Sequence, residues 1–194
     1  MKRGNRCIVL RIISGSLKGR RIKARAGLAV RPTTDRVREA LFNILAFRVK
    51  EARFLDLYAG TGAIGLEALS RGALEVVFVE KDRRSAALLQ DNLQRLGVSE
   101  RAIVRAGEAL PTIVSLGREG RKFDLVFMDP PYDHPVVEQT LEALSRAAIL
   151  EREGWVIAET SHRNPPVKLC SGFKVWRRER YGEALLSFYR MEAE

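Results

Sequence analysis

At 194 residues the chain has room for one domain with a sizeable core, or one domain with an appendage. Its 46% hydrophobic and 30% charged residues are those of a soluble globular protein, and no apolar run approaches the ~18 residues of a membrane span. The net charge of +10 is concentrated: residues 1–38 hold twelve Lys or Arg against one acid, Asp35, while the other 22 basic and 23 acidic residues nearly cancel.

Such a cationic segment suits a polyanionic partner, with salt-sensitive affinity. An anionic membrane surface fits less well, because the segment lacks a long amphipathic apolar face. A solvated basic face remains the bland alternative. The basic start followed by apolar residues 7–10 is cut short by Arg11, so no signal peptide is expected. Two cysteines, Cys7 and Cys170, make neither a disulfide framework nor a zinc spacing, and read as reduced thiols of a cytoplasmic protein.

The pattern predicts strands over 7–13 and 20–23, joined by the turn residues 14–19. Residues 1–32 thus form a basic hairpin extension, and 33–194 the main domain. Thr33, Thr34 and Asp35 are N-cap types before a helix over 36–47, whose buried stripe is Val37, Leu41, Ile44 and Leu45, with Arg36, Arg38 and Asn43 off it. Strands follow at 54–58, 75–80, 102–105, 124–128 and 155–159. Helices alternate with them at 63–71, 83–96, 109–116 and 136–148. The second of these is capped by Asp82 and stopped by Gly97, with Ala86, Leu89, Leu93 and Leu96 on one face. Strands at 174–181 and 184–191 close the chain as an antiparallel hairpin around Gly182. The fold class is therefore α/β and Rossmann-like: a seven-stranded, mostly parallel sheet with one antiparallel C-terminal strand at its edge.

Ligands of such sheets bind at the carboxyl ends of the strands. There, Gly60, Gly62 and Gly65 spell G-x-G-x-x-G between the first core strand and its helix, and Glu80 follows 20 residues after Gly60. That spacing fits a dinucleotide, and equally S-adenosylmethionine (AdoMet) with the acid on its ribose hydroxyls. Asp56 favours AdoMet, since an acid beside the turn suits an ammonium and repels a pyrophosphate. Asp56, Glu80, Glu108 and Asp129 all fall at strand ends and make a site for a cationic, hydroxyl-rich ligand.

Asp129-Pro130-Pro131-Tyr132 carries the chemistry. The prolines fix a rigid exit from the strand. The Asp129 carboxylate and the Pro130 carbonyl can converge as two acceptors for an exocyclic NH₂, with Tyr132 as a stacking surface for a base taken out of its stack. Hydrogen bonds from both N–H groups localise the amine lone pair and stabilise the developing positive charge for methyl transfer. Neither a strongly basic group nor a metal is required.

Together, LDLYAGTG, FVEKD and LVFMDPPY resemble the class I AdoMet-dependent methyltransferases that modify exocyclic amines of bases. RIISGSLKGRRI and RPTTDRVREALFNIL narrow the resemblance to the RsmD family, bacterial methyltransferases of guanine N2 in small-subunit ribosomal RNA. It covers nearly the whole chain. The resemblance implies 16S rRNA in the 30S subunit or its assembly intermediate as partner, no membrane association, and a monomer. It implies that Asp56, Ala59, Gly60, Thr61 and Gly62 cradle the methionine part of AdoMet. Glu80 then takes the ribose, Lys81 flanks the adenine, and Asp129, Pro130 and Tyr132 hold the guanine. Glu108 stands where the family more often has Asp, on the adenine amine. Arg31, Thr33, Thr34 and Arg36 would close over the site, and Arg11, Lys18, Arg20, Arg21 and Lys23 of the hairpin would grip phosphates. Open alternatives are an adenine-N6 methyltransferase, a ribosome-assembly factor with this fold, and an NAD-dependent oxidoreductase.

Overall fold

A computed structural model of the chain describes residues 8–24, 34–130 and 135–192. Strands β1 (Ile8–Arg11) and β2 (Arg21–Ala24) pair antiparallel, with Leu10 opposite Ile22. In β2, alternation sends Ile22 and Ala24 inward and Arg21 and Lys23 outward. Helix α1 (Asp35–Ile44) is capped by Thr34, whose Oγ1 accepts the Val37 N–H at 3.3 Å. It stops before the expected position 47, where the Arg48 N–H turns back to the Leu45 carbonyl at 2.7 Å.

The remaining strands are β3 (Arg53–Asp56), β4 (Glu75–Glu80), β5 (Ala102–Ala106), β6 (Phe123–Met128), β7 (Leu150–Ser161), β8 (Leu169–Cys170), β9 (Phe173–Tyr181) and β10 (Ala184–Met191). Among the described residues they form one sheet in the order β5-β4-β3-β6-β7-β10-β9-β8. The first five run parallel. Both faces of that half are covered, which is why β4 reads as an unbroken Val-Val-Phe-Val run. Helices α2 (Ala63–Ser70) and α3 (Arg83–Leu96), with α1, pack one face against Phe54, Val76, Phe78 and Phe127. On the other face, α4 (Ala109–Arg118) and α5 (Pro135–Ala147) pack against Leu55, Val77, Val126 and Met128.

Two details of the expected sheet are corrected. The antiparallel C-terminal strand is not at the edge: β10 lies between β7 and β9, antiparallel to both. The twelve-residue β7 offers it six paired positions, from Ser161 to Val156, and so satisfies backbone groups that an edge position would leave to water. An eighth strand, the two-residue β8, extends the edge beyond β9. A third correction concerns Arg38. Expected off the buried stripe, it is fully buried, and its Nη2 donates to the Arg11 carbonyl at 2.6 Å and to Asp35 at 3.0 Å.

The chain order reverses on either side of β3, with β4 on one flank and β6 on the other. In sheets of this kind that reversal point is where the ligand crevice lies, here over the carboxyl ends of β3 and β6. No helix among the described residues is long and apolar enough to cross a membrane.

Candidate active site

The loop after β3 is pinned to the tips of both neighbouring strands. The Leu57 N–H bonds the Phe127 carbonyl at 3.0 Å, and the Ala59 N–H bonds the Val79 carbonyl at 2.9 Å. Gly60 and Gly62 then take φ of 52° and 78°, the left-handed region that glycine enters without strain. Gly62 caps α2 with no side-chain hydrogen bond of its own, and the first-turn N–H of Gly65 is taken by Asp56 instead. A Cβ on Gly62 would sit 2.3 Å from Leu89 Cδ1, whereas one on Gly60 would meet only the Tyr58 carbonyl at 4.0 Å. The backbone at Gly60 is thus a bare cradle. Gly65 serves packing instead. A Cβ there would lie 2.2 Å from the Phe78 ring, so this glycine lets α2 close on β4.

Around the cradle stand the acids. Asp56 is 1% exposed, and its Oδ2 accepts the Gly65 N–H at 3.1 Å. Burial pushes its carboxyl up to about 7, with the charge of Glu80 adding and the Gly65 N–H opposing. Glu80 ends β4 and accepts two backbone N–H groups, from Gly60 and from Asp82, each at 2.7 Å. Exposed Lys81 and Glu108 pair across the outer rim at 2.6 Å, and each holds the other in its charged form. Asp129 follows β6 directly, and Pro130 beside it is buried. Burial, then the charges of Glu159 and Asp56, push the Asp129 carboxyl up to about 8.

Glu159 is a fifth acid, not among the four expected at strand ends. Ala158 pairs with Met128, so Glu159, inside β7, lies beside Asp129 where it follows β6. The signal is present in the sequence, since Glu159 ends an apolar run just as Glu80 does.

The structure brings Asp56, Ala59, Gly60, Thr61, Gly62, Glu80, Lys81, Glu108, Asp129 and Pro130 to one end of the sheet. Tyr132, Arg31 and Thr33 lie outside the described residues. The Thr34 hydroxyl is engaged as the α1 cap, and Arg36 is exposed beside it. Tyr58, unremarked in the sequence, ties the site together. Its hydroxyl and that of Thr140 are 3.1 Å apart, and Thr140 donates to the Val136 carbonyl at 2.6 Å. The loop after β3 is thereby fixed to the second turn of α5.

The hairpin runs along α2 and α3. Its turn is anchored at the end of α2 remote from the glycines, where the Ser16 N–H bonds the Ser70 carbonyl at 2.8 Å. Glu67, fully buried, accepts the Ile13 and Ser14 N–H groups at 2.8 and 2.9 Å and pairs with Arg71 at 2.8 Å and Arg38 at 3.8 Å. Arg11, Arg20, Arg21, Lys18 and Lys23 are all exposed. Arg20 caps α3 through the Arg95 carbonyl at 3.2 Å, and Lys23 pairs with Asp91 at 3.0 Å.

A family model described as "Conserved hypothetical protein 95" matches residues 10–190. The chain belongs to this family. It is the RsmD family that the motifs resemble. "Putative rRNA methyltransferase YlbH" of Bacillus subtilis is 34% identical over 181 residues, covering 93% of this chain and 98% of the relative. "Ribosomal RNA small subunit methyltransferase D" of Escherichia coli is 34% identical over 185 residues, covering 95% and 91%. Among solved structures, "Putative methyltransferase yhhF" from Escherichia coli superposes with a TM-score of 0.85 at 34% identity, covering 96% of this chain and all of that one. A more distant methyltransferase structure, described as complexed with SAH, shares the fold alone: TM-score 0.72 at 14% identity, over 98% of this chain and 57% of that one. Family and fold are thus those of class I methyltransferases.

The site fits AdoMet by its own chemistry. The cradle at Gly60 is open where a side chain would point. Five carboxylates stand around it, and burial together with mutual repulsion raises two of them. A sulfonium and an ammonium relieve that repulsion, and a pyrophosphate would worsen it.

Proposed function

We propose that this member of the RsmD family transfers a methyl group from AdoMet to the exocyclic N2 of a guanine in the 16S rRNA of the small ribosomal subunit. The observation that carries the reading is the placement of Asp129 and Pro130 beside the glycine cradle, at the reversal point of the sheet. Names of relatives that specify small-subunit rRNA support the substrate class.

Asp56, Ala59, Gly60, Thr61, Gly62 and Glu80 would hold AdoMet, with Lys81 and Glu108 at the adenine. Bound there, it supplies an electrophilic methyl group. The residues of the chain do the rest. The Asp129 carboxylate and the Pro130 carbonyl accept the two N–H groups of the guanine amine and turn its lone pair towards the methyl. As positive charge develops on that nitrogen, the ionised Asp129 stabilises it and is placed to take the proton. Burial, Glu159 and Asp56 keep Asp129 basic enough to accept it. Tyr58 and Thr140 hold the cofactor loop and α5 in register across the two ligands.

The test is transfer of labelled methyl from AdoMet to 30S particles lacking the modification, with naked 16S rRNA and DNA alongside, followed by nucleoside analysis. The expected product is N2-methylguanosine. N6-methyladenosine, or no transfer while AdoMet binds, would overturn the assignment.

A further inference from the structure

At the end of the sheet opposite Asp129, side chains of β7, β9, β10 and the loop after α1 build a cluster that the proposed reaction does not use. Trp155 and Trp176 meet edge-on with ring centres 4.6 Å apart, and Phe188 closes the group beneath them. The Arg48 guanidinium lies 4.3 Å over the Trp155 ring, and that of Arg190 lies 4.7 Å over Trp155 and 4.1 Å over Trp176. Trp155 is 6% exposed, but Trp176 is 38% exposed. Phe47 is wholly exposed in the adjoining loop, and Met191 is half-exposed. An open cleft of about 330 Å³ runs beside Trp176, lined by Lys174, Trp176, Arg190, Met191 and Glu192, with Lys174 and Glu192 paired at 3.4 Å.

We infer that this cluster is a second RNA-binding surface, which takes a nucleobase against Trp176 and its flanking phosphates against Arg190 and Arg48. An indole that already carries a guanidinium and still exposes much of its ring is the arrangement that single-stranded nucleic acid recognises by stacking and cation–π contact. Among the described residues, neither Arg48 nor Arg190 is paired with a carboxylate, so both retain charge for a polyanion. The surface is distinct from the base site. Trp155 pairs with Leu125, four residues before Asp129, which places the cluster about 13 Å down the strands and further across the sheet. Nucleotides next to the target guanine do not reach it. It engages another segment of a folded RNA, and so makes a folded particle a better substrate than a short oligonucleotide. The inference rests on the rRNA reading above.

The experiment compares the full chain with Trp176→Ala and Arg190→Glu on 30S particles, measuring particle KM, kcat at saturating particle, and AdoMet affinity. Particle KM should rise roughly tenfold in each variant, the size of one lost stacking contact. The other two quantities should be unchanged, and Trp176→Tyr should restore most of the loss. The salt dependence of particle binding should become shallower by roughly 0.7–0.9 in log–log slope for Arg190→Glu. A photoreactive residue at position 176 should crosslink to rRNA away from the methylated guanine. Unchanged KM and no RNA crosslink in an active parent would overturn the inference alone. So would a dimer that these substitutions dissolve, which would assign the patch to a second copy of the chain. A parent that methylates no rRNA would sink the functional reading instead, while the crosslink would still decide whether this surface meets RNA.

Discussion

The Glu80 carboxylate accepts the Gly60 N–H at 2.7 Å, across 20 residues of sequence. The acid proposed to take the ribose therefore also fixes the glycine turn proposed to cradle the rest of the ligand. Its second oxygen holds the Asp82 N–H, at the start of α3. One side chain thus fixes both the glycine turn and the entry to α3.

Glu80→Ala releases both N–H groups as well as any ligand contact. Hydrogen bonds to a charged group are worth about 1.5–3 kcal/mol each. AdoMet affinity should fall at least tenfold, and Glu80→Gln, whose one remaining acceptor oxygen can hold only one of the two N–H groups, should fall less. Calorimetric titration of the two variants checks this; equal losses would mean that charge alone matters at this position.

Gly65→Ala should destabilise the protein without touching the ligand directly. Its Cβ would sit 2.2 Å from the Phe78 ring, so α2 must move or the ring must leave its place. Overpacking of this kind costs about 1–3 kcal/mol. Thermal unfolding of the apo protein is the readout, and a midpoint equal to the parent's would show that α2 yields freely.

Asp56 and Asp129 give the apo protein a pH signature. Both carboxyls are raised in the folded state, to about 7 and about 8, above their ordinary value of 3.8. Between those limits the folded protein holds protons that the unfolded chain has released. Stability therefore falls as pH rises from 4 to 8. A bound cation favours the ionised carboxylates, so AdoMet affinity should rise with pH over the same window. Unfolding midpoints at the two ends of that window check the first statement, and Asp56→Asn should reduce the difference.

Glu159→Gln removes a negative charge beside Asp129, and the Asp129 carboxyl should then ionise at lower pH. If ionised Asp129 is the working form, the rising limb of the pH–rate profile moves to lower pH in this variant. An unmoved limb would show that Asp129 does not titrate in the rate-limiting step.

Much of this was legible in the sequence, for physical reasons. Strand β4 declared itself through an unbroken apolar run, and α3 through the cap at Asp82, the stop at Gly97 and one apolar face. The four strand-end acids were placed by the rule that ligands meet strand ends. Lateral order was not legible: β10 reads as a strand, but nothing in its own residues says that it enters between β7 and β9. A two-residue strand such as β8 has no period to detect. The burial of Arg38 is not legible, because a guanidinium belongs off an apolar stripe unless a buried carboxylate awaits it, and Glu67 comes 29 residues later. That network also means that the hairpin shares the core, since Ile12 and Ile22 are buried with α1 and α2. The RNA contact proposed for it is best tested by reversing exposed charges such as Lys18 and Arg21 rather than by deletion.

The most direct test of the proposed chemistry is the Asp129→Ala variant on 30S particles, with AdoMet binding measured in the same preparation. Turnover should fall by ~10²-fold or more, because the acceptor that holds and stabilises the reacting amine is gone. AdoMet should still bind, since the cradle at Gly60 and Glu80 is untouched. Near-normal turnover in a variant that binds AdoMet would contradict the mechanism.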